Sequence, residues 1–208
     1  MSSEDPFKQI ISKISKNKKI SKTEADMAFS LIINGSATDA QIGAFLMGLS
    51  LTGETSDIIA SGASMLRQSA IKIKSDDKTI DTVGTGGDGA HTLNISSAAA
   101  FVVAGADIKV AKHGNRSLSS KSGAADVLSE LGINLDCPFE IVQEALNSIG
   151  ICFLMAPRHL VAMKHVGPAR VQLGIRTIFN LLGPLSNPAF VKRQLVGVFD
   201  KKWLHPFA

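Results

Sequence analysis

The sequence contains no tyrosine, and aromatic residues make up only 5% of its 208 residues. Proteins that bind single-stranded nucleic acids usually stack the bases on aromatic side chains, so this scarcity argues against such a protein. Cysteine is also rare, because Cys137 and Cys152 are the two in the chain and they form no Cys-x-x-Cys motif. This pattern predicts free thiols in a reducing compartment rather than a thiolate metal site.

Long apolar runs are also missing, since no stretch is long enough and free enough of charge to span a bilayer. The N-terminus, Met1 to Pro6, is polar and acidic, which is not the pattern of a signal peptide. These absences predict a cytoplasmic protein that does not interact with membranes. The net charge of +4 and the pI of about 9.1 fit either an anionic small molecule or a nucleic acid and do not distinguish between them.

The first third of the chain has apolar residues at the spacing of short amphipathic helices. Two capping-box patterns, Ser-x-x-Glu from Ser21 and Thr-x-x-Gln from Thr38, predict where two of these helices begin. We therefore expect a helical domain over residues 1–71, and the polar segment 72–78 is the expected hinge.

Residues 72–208 alternate between strand-like and helix-like segments, which predicts an α/β domain with a mainly parallel sheet flanked by helices. The predicted strands are 79–83, 108–111, 151–155 and 194–199. The segment TIFNLLGPLSNP, residues 177–188, has the glycine and proline content of a turn.

A glycine cluster follows the first predicted strand, and a basic segment follows the second. Glycine lets backbone N–H groups approach an anion closely, and the helix expected from about Asn94 adds its positive N-terminal end. Lys112 and Arg116, after the second strand, supply positive charge. Two such loops at neighbouring strand ends predict a site for more than one phosphate group.

The glycine cluster has two other interpretations. A glycine-rich turn can serve packing alone. Gly84, Gly86 and Gly89 also satisfy the G-x-G-x-x-G pattern of dinucleotide-binding proteins. That pattern expects an acidic residue at the end of the second strand, whereas this sequence has Lys112 and His113 there, so the dinucleotide interpretation is disfavoured.

Several motifs together resemble the anthranilate phosphoribosyltransferase family, which shares its fold with pyrimidine nucleoside phosphorylases. They are Asp81-Thr82-Val83-Gly84-Thr85-Gly86-Gly87-Asp88, Asn94-Ile95-Ser96, Lys112-His113-Gly114-Asn115-Arg116, Ser119-Ser120-Lys121-Ser122-Gly123 and Arg176-Thr177-Ile178-Phe179-Asn180. The resemblance covers essentially the whole chain. It implies transfer of phosphoribose from 5-phosphoribosyl 1-pyrophosphate to the amine of anthranilate, in tryptophan biosynthesis, with Mg2+ and release of pyrophosphate. It also implies a homodimer formed through the helical domain.

The resemblance further implies which residues bind the substrates. Those of the substrate site are Gly84, Gly87, Asp88, Thr92, Asn94, Ile95, Ser96, Ser97, Lys112, His113, Gly114, Asn115, Arg116, Ser117, Leu118, Ser119, Ser120, Ala124 and Arg170. Among them Ser96 is the implied magnesium ligand, and Arg170 matches the residue for the carboxylate of anthranilate. His113 is the side chain suited to proton handling near neutral pH, with a backbone-orienting role as the alternative.

Two departures from the family pattern bear on these expectations. Where the family usually carries a Tyr-His pair, the aligned positions hold His159 and Leu160, which predicts a reshaped acceptor side. The family's acidic magnesium-binding pair lies beyond Ala208, so the α/β domain is expected to be incomplete. With Ser96 alone, Mg2+ binding is expected to be weak, and whether the chain alone is active stays open. A pyrimidine nucleoside phosphorylase and a non-catalytic paralogue that binds nucleic acid remain the alternatives, the latter disfavoured by the glycine cluster.

Overall fold

The computed structural model of the chain describes residues 5–86, 93–116 and 122–208. These residues form two compact units. The first contains the described residues up to Ala70 together with Leu160–Leu182, and the second contains Ile71–His159 and Gly183–Ala208. The predicted division into residues 1–71 and 72–208 therefore differs from the structure over 160–182, a segment that folds with the N-terminal helices.

The first unit is helical. Its elements are α1 (Pro6–Ser15), α2 (Lys22–Ile33), α3 (Asp39–Thr52), α4 (Ser56–Ser69), a 3-10 helix (Val161–His165), α9 (Gly167–Leu173) and the start of α10 (Phe179–Leu185). Both predicted capping boxes form. At the start of α2, the Ser21 hydroxyl accepts a hydrogen bond from Glu24 N at 3.2 Å, and the Glu24 carboxylate accepts one from Ser21 N at 2.7 Å.

The core of the helical unit is built around aromatic rings that pack in tilted or edge-on pairs. The ring of Phe45 lies 5.6 Å from Phe7 and 5.7 Å from Phe29. Phe179, from the C-terminal segment of the unit, packs edge-on against Phe29 with centroids 6.1 Å apart. Gly62 permits this packing, because a Cβ atom there would come within 2.8 Å of the Phe29 ring. The segment 160–182 thus completes a core that the N-terminal helices begin.

The second unit is an α/β structure. Its elements are β1 (Ile80–Gly84), α5 (Ile95–Gly105), β2 (Val110–Gly114), α6 (Ala124–Glu130), α7 (Phe139–Ser148), β3 (Ile151–Met155), α8 (Ala156–His159), β4 (Arg193–Gly197), a 3-10 helix (Lys201–Trp203) and α11 (Leu204–Phe207).

The strands of the described residues form one sheet in the order β3-β2-β1-β4, and every neighbouring pair is parallel. This confirms the predicted fold class. One sheet face packs against α7 through a cluster that includes Leu146, Cys152 and Leu154. Phe153 and Met155 pack instead against Ala125, Leu128 and Leu135. Because all strands point the same way, their C-terminal ends lie at a single edge.

Two predicted elements need correction. The second strand is Val110–Gly114 rather than 108–111. Lys112 and His113 therefore lie within the strand and not after it. The strand extends over them because both side chains are buried and paired inside the unit. Residues 177–188 contain α10, with Pro184 inside the helix, where the sequence predicts a turn. The apolar residues of that segment are buried, and this burial outweighs the effect of its glycine and proline. Along the part of the chain that the structure describes, the helices are too short or too polar to cross a bilayer.

Candidate functional site

The predicted phosphate site lies at the C-terminal edge of the parallel sheet, where β1 ends in the exposed Gly84 and α5 begins. In open parallel sheets, ligands bind at this edge. Thr82 ties the strand to the helix, because its hydroxyl donates to the carbonyl oxygen of Ser96 at 2.7 Å. The start of α5 is thereby fixed next to the end of β1.

Lys112 is buried at this edge, with 3% of its surface exposed. Its ammonium group donates to Thr82 O at 2.6 Å and to Ser96 Oγ at 3.2 Å. Burial lowers the pKa of Lys112, and the charge of nearby Asp81 opposes that shift. An ammonium group has three donors, so one remains after these two bonds, counted over the described residues.

The first turn of α5 carries further polar groups. Asn94 precedes the helix and donates from Nδ2 to Ser122 Oγ at 2.9 Å, while Ile95 is largely exposed. The hydroxyl of Ser97 is buried and has no hydrogen-bond partner among the described residues. Buried hydroxyls in proteins are normally paired, so this turn presents an unused hydroxyl donor.

Asp81 anchors the middle of the sheet and is fully buried. Within the described residues its carboxylate accepts hydrogen bonds from His113 N at 3.2 Å, Asn187 Nδ2 at 2.8 Å and Gln194 Nε2 at 3.1 Å. Desolvation raises the pKa of Asp81, against the opposing effect of those donors and of Lys112. Sequence reasoning did not assign a role to Asp81, Asn187 or Gln194, although Asp81 begins one of the family motifs.

His113 is buried beside this carboxylate. Its Nδ1 lies 3.1 Å from the carbonyl oxygen of Gly183, and its Nε2 has no hydrogen-bond partner among the described residues. Burial is the main cause that lowers the pKa of His113 to about 3, and repulsion from His159 adds to it. His113 is therefore neutral at physiological pH and too weak a base for efficient proton transfer, which works best near the operating pH.

The basic segment after His113 is stabilised within the same unit. Gly114 lies against the Phe153 ring, where a Cβ atom would come within 2.8 Å of the ring and 3.4 Å of the Ala124 methyl. The exposed Arg116 forms an ion pair with Asp126 at 3.3 Å, and its backbone N donates to Asn115 Oδ1. Arg116 is thus held at the surface near the sheet edge.

Arg170 is a residue of α9 in the helical unit. Its guanidinium group lies 5.8 Å above the Phe179 ring, and partial burial lowers its pKa. An arginine removed from water in this way is a strong partner for a carboxylate. His159, at the family's altered position, is buried and bonds through Nδ1 to Ile71 O at 2.7 Å, so its ring stabilises the α/β unit.

Seven predicted site residues lie outside the described residues: Gly87, Asp88, Thr92, Ser117, Leu118, Ser119 and Ser120. Among the described residues, no three histidine, cysteine or acidic side chains come together as a metal site would require. The hydroxyl of Ser96, the predicted magnesium ligand, already pairs with Lys112. Mg2+ binds mainly to carboxylates, waters and phosphates, so the described residues do not by themselves fit this ion.

Comparison with protein families agrees with this architecture. Residues 76–208 match the glycosyl transferase family, a/b domain, and residues 8–70 match the glycosyl transferase family, helical bundle domain. The chain belongs to this glycosyl transferase family.

Within the family, the chain is similar to anthranilate phosphoribosyltransferases. It is 56% identical to the Azospirillum brasilense enzyme over 202 residues, which cover 97% of this chain and 56% of that one. The Thermus thermophilus enzyme superposes with a TM-score of 0.89 at 41% identity, covering 94% of this chain and 60% of that one. The Saccharomyces cerevisiae enzyme in complex with PRPP and Mg superposes with a TM-score of 0.89 at 29% identity, covering 99% and 61%. The chain therefore spans well under two thirds of the length of these relatives.

Proposed function

We propose that the chain binds 5-phosphoribosyl 1-pyrophosphate at the C-terminal ends of β1 and β2 and takes part in phosphoribosyl transfer to the amine of anthranilate. The observation that carries this proposal is the buried Lys112 at the first turn of α5, with the unpaired hydroxyl of Ser97 in the same turn. A buried cation beside an unpaired hydroxyl donor has the chemistry to hold a phosphate group. The names of the relatives support the choice of substrate.

In the proposed reaction the nitrogen of anthranilate attacks C1 of the ribose. The bond between C1 and the pyrophosphate oxygen breaks, its electron pair leaves with pyrophosphate, and the nitrogen then loses a proton. Negative charge grows on the leaving group, so donors that are already in place lower the barrier. Lys112 and the first turn of α5 supply such donors to the leaving group. No covalent intermediate is required.

The acceptor side of the proposal rests on Arg170. Its partly desolvated guanidinium group is suited to the carboxylate of anthranilate. Magnesium is retained as the proposed cofactor because a yeast relative was solved with PRPP and Mg, and the ion would neutralise pyrophosphate charge. A homodimer formed through the helical unit and a cytoplasmic location remain predictions from the resemblance.

Calorimetric titration with 5-phosphoribosyl 1-pyrophosphate, with and without Mg2+, tests the donor site. Lys112→Met removes the buried ammonium group and keeps the volume of the side chain. Because hydrogen bonds to charged groups contribute about 1.5–3 kcal/mol, we expect the Kd to rise about 10- to 100-fold.

Lys109→Met is the matched control. Lys109 lies one residue before the same strand and pairs with Asp76 at 3.4 Å near the opposite sheet edge. The Kd of the Lys109→Met variant for 5-phosphoribosyl 1-pyrophosphate should therefore stay within about twofold of the wild-type value, as for a surface substitution. Unchanged binding in folded Lys112→Met, or no binding by the folded wild-type chain, would contradict the proposed site.

A further inference from the structure

A closed ring of hydrogen bonds joins Asp81, Gln194 and His113. Asp81 accepts from the backbone N of His113 at 3.2 Å and from Gln194 Nε2 at 3.1 Å. Gln194 Nε2 also donates to the carbonyl oxygen of Pro184 at 2.9 Å. The preceding carbonyl oxygen, that of Gly183, lies 3.1 Å from His113 Nδ1, so the ring closes through the peptide that joins Gly183 to Pro184.

This arrangement determines which nitrogen of His113 carries the hydrogen. A carbonyl oxygen can only accept a hydrogen bond, so Nδ1 must be the donor toward Gly183 O. In the neutral imidazole, Nε2 is then an acceptor with a free lone pair. That atom is buried and has no partner within the described part of the chain. An unpaired buried acceptor costs free energy, which indicates that a ligand donor completes it.

We propose that Asp81 and Gln194 are positioning residues, which hold His113 in the tautomer with hydrogen on Nδ1 so that its Nε2 accepts an N–H donor from the bound acceptor substrate. The identity of that donor, the amine of anthranilate, rests on the proposed function. Asp81 fixes the backbone of His113, and Gln194 fixes the carbonyl group of Pro184, the residue next to the Gly183 carbonyl that faces the ring. The ring and its carbonyl partner are therefore restrained from both sides.

The mechanistic consequence is orientation of the nucleophile. An amine that donates one N–H to a fixed acceptor has its own lone pair directed away from that bond, which limits the directions from which it can attack. His113 does not remove the proton in this scheme, which agrees with the strongly lowered pKa of the buried ring. The preference is for an acceptor substrate with an amine over an isostere that has none.

The first test is nitrogen-15 NMR of the histidine side chains at neutral pH, with His113 assigned through His113→Gln. We expect the wild-type ring to be neutral with hydrogen on Nδ1. Gln194→Met keeps the length of the side chain but removes both donors, and it should give a mixture of the two tautomers. Gln143→Met is the matched control, because Gln143 Nε2 similarly donates to the carbonyl oxygen of Lys74 at 2.9 Å but lies outside this ring; its spectrum should match the wild type.

Gln194→Met is preferred to Asp81→Asn, which places an amide nitrogen against buried donors and endangers folding. A wild-type ring that is charged or carries hydrogen on Nε2 overturns the proposal. So does a Gln194→Met spectrum that is identical to the wild type. These NMR outcomes do not depend on substrate binding.

The second test compares the Kd of anthranilate with that of benzoate, which lacks the amine, using calorimetry. In the wild type we expect anthranilate to bind about 5- to 10-fold more tightly, the effect of one neutral hydrogen bond, and Gln194→Met to remove this difference while Gln143→Met keeps it. Equal wild-type affinities would overturn the role of Nε2 toward the amine. If neither compound binds but the tautomers are as expected, the proposed function fails and the positioning of His113 stands.

Discussion

The two units of the chain bury different kinds of side chain. The buried residues of the helical unit are almost all apolar, with Phe7, Phe29 and Phe45 at its centre. In the α/β unit, polar and charged groups are buried along the strands, including Asp81, Lys112 and His113. Folding of the helical unit removes apolar groups from water. Folding of the sheet also removes polar groups from water, where they would be better solvated.

The two kinds of burial contribute differently to the stability of the fold and to its function. Apolar burial stabilises a fold at about 25 cal/mol per Å2, but buried polar groups cost free energy unless each is paired. The α/β unit leaves some of its groups unpaired, since Ser97 Oγ and His113 Nε2 have no partner within the described residues. Under the proposed function, a bound ligand would supply the missing partners of these two groups.

The largest expected effect comes from the helical core. Phe29→Ala removes a fully buried ring that packs on Phe45 and Phe179, and it should lower the free energy of unfolding by about 3–5 kcal/mol. Chemical unfolding followed by far-ultraviolet circular dichroism measures this loss. Met27→Ala, at a position 43% exposed in the same helix, is the control and should change stability by about 0.5 kcal/mol or less. Similar losses in both variants would contradict a core centred on the phenylalanines.

An intermediate effect concerns the acid sensitivity of the α/β unit. The pKa of His113 is about 3 in the folded state, below its ordinary value of 6.5, so the unfolded chain binds the proton first. The stabilisation from neutral His113 is present above pH 6.5 and is lost as the pH falls toward 3. The loss is about 1.4 kcal/mol per pH unit, or about 2 kcal/mol by pH 5.

His113→Gln should therefore flatten the dependence of unfolding free energy on pH between 5 and 7. The substitution should not abolish this pH dependence, because burial also lowers the pKa of His159. Lys112 and Asp81, the other charged groups near His113, are unchanged in this variant. Fluorescence of Trp203, a buried residue of the same unit and the only tryptophan in the sequence, follows the transition. The exposed His205→Gln is the control. An unchanged slope in His113→Gln would show that this ring is not the acid-sensitive group.

The smallest expected effect comes from a helix cap. Ser21→Ala removes the hydroxyl that accepts from Glu24 N at 3.2 Å, and caps of this kind contribute about 1 kcal/mol. Thermal unfolding of the helical unit should reflect that loss. Ser36→Ala, at an exposed position after α2, should leave the transition unchanged. If the two substitutions had equal effects, the hydroxyl of Ser21 would have no capping role.

The sequence predicts those features whose cause is local. Helix starts at Ser21 and Thr38 follow from patterns four residues long, and the parallel sheet follows from the alternation of strands with helices. The phosphate site is expected from glycines and cations close to one another in the chain.

The features that were missed depend on pairing across long distances in the sequence. The bond from Asn187 Nδ2 to Asp81 joins residues that no local pattern relates. Lys112 is expected after its strand because charged residues are usually exposed, and a buried lysine is recognised only when its partners are known. Phe179 likewise shows its place in the helical core only through its contact with Phe29.

The division of each unit over two stretches of the chain has a consequence for biosynthesis. As the polypeptide leaves the ribosome, α1 to α4 emerge long before Phe179, so Phe29 lacks this partner while the sheet is being made. β1 likewise waits for β4, since Ile80 pairs with Arg193, more than a hundred residues later. Such non-local pairings slow folding and leave strand edges exposed to aggregation. Expressing residues 1–71 and 72–208 as separate proteins would therefore leave the helical unit without its last segment, whereas co-expression would let the two pieces meet.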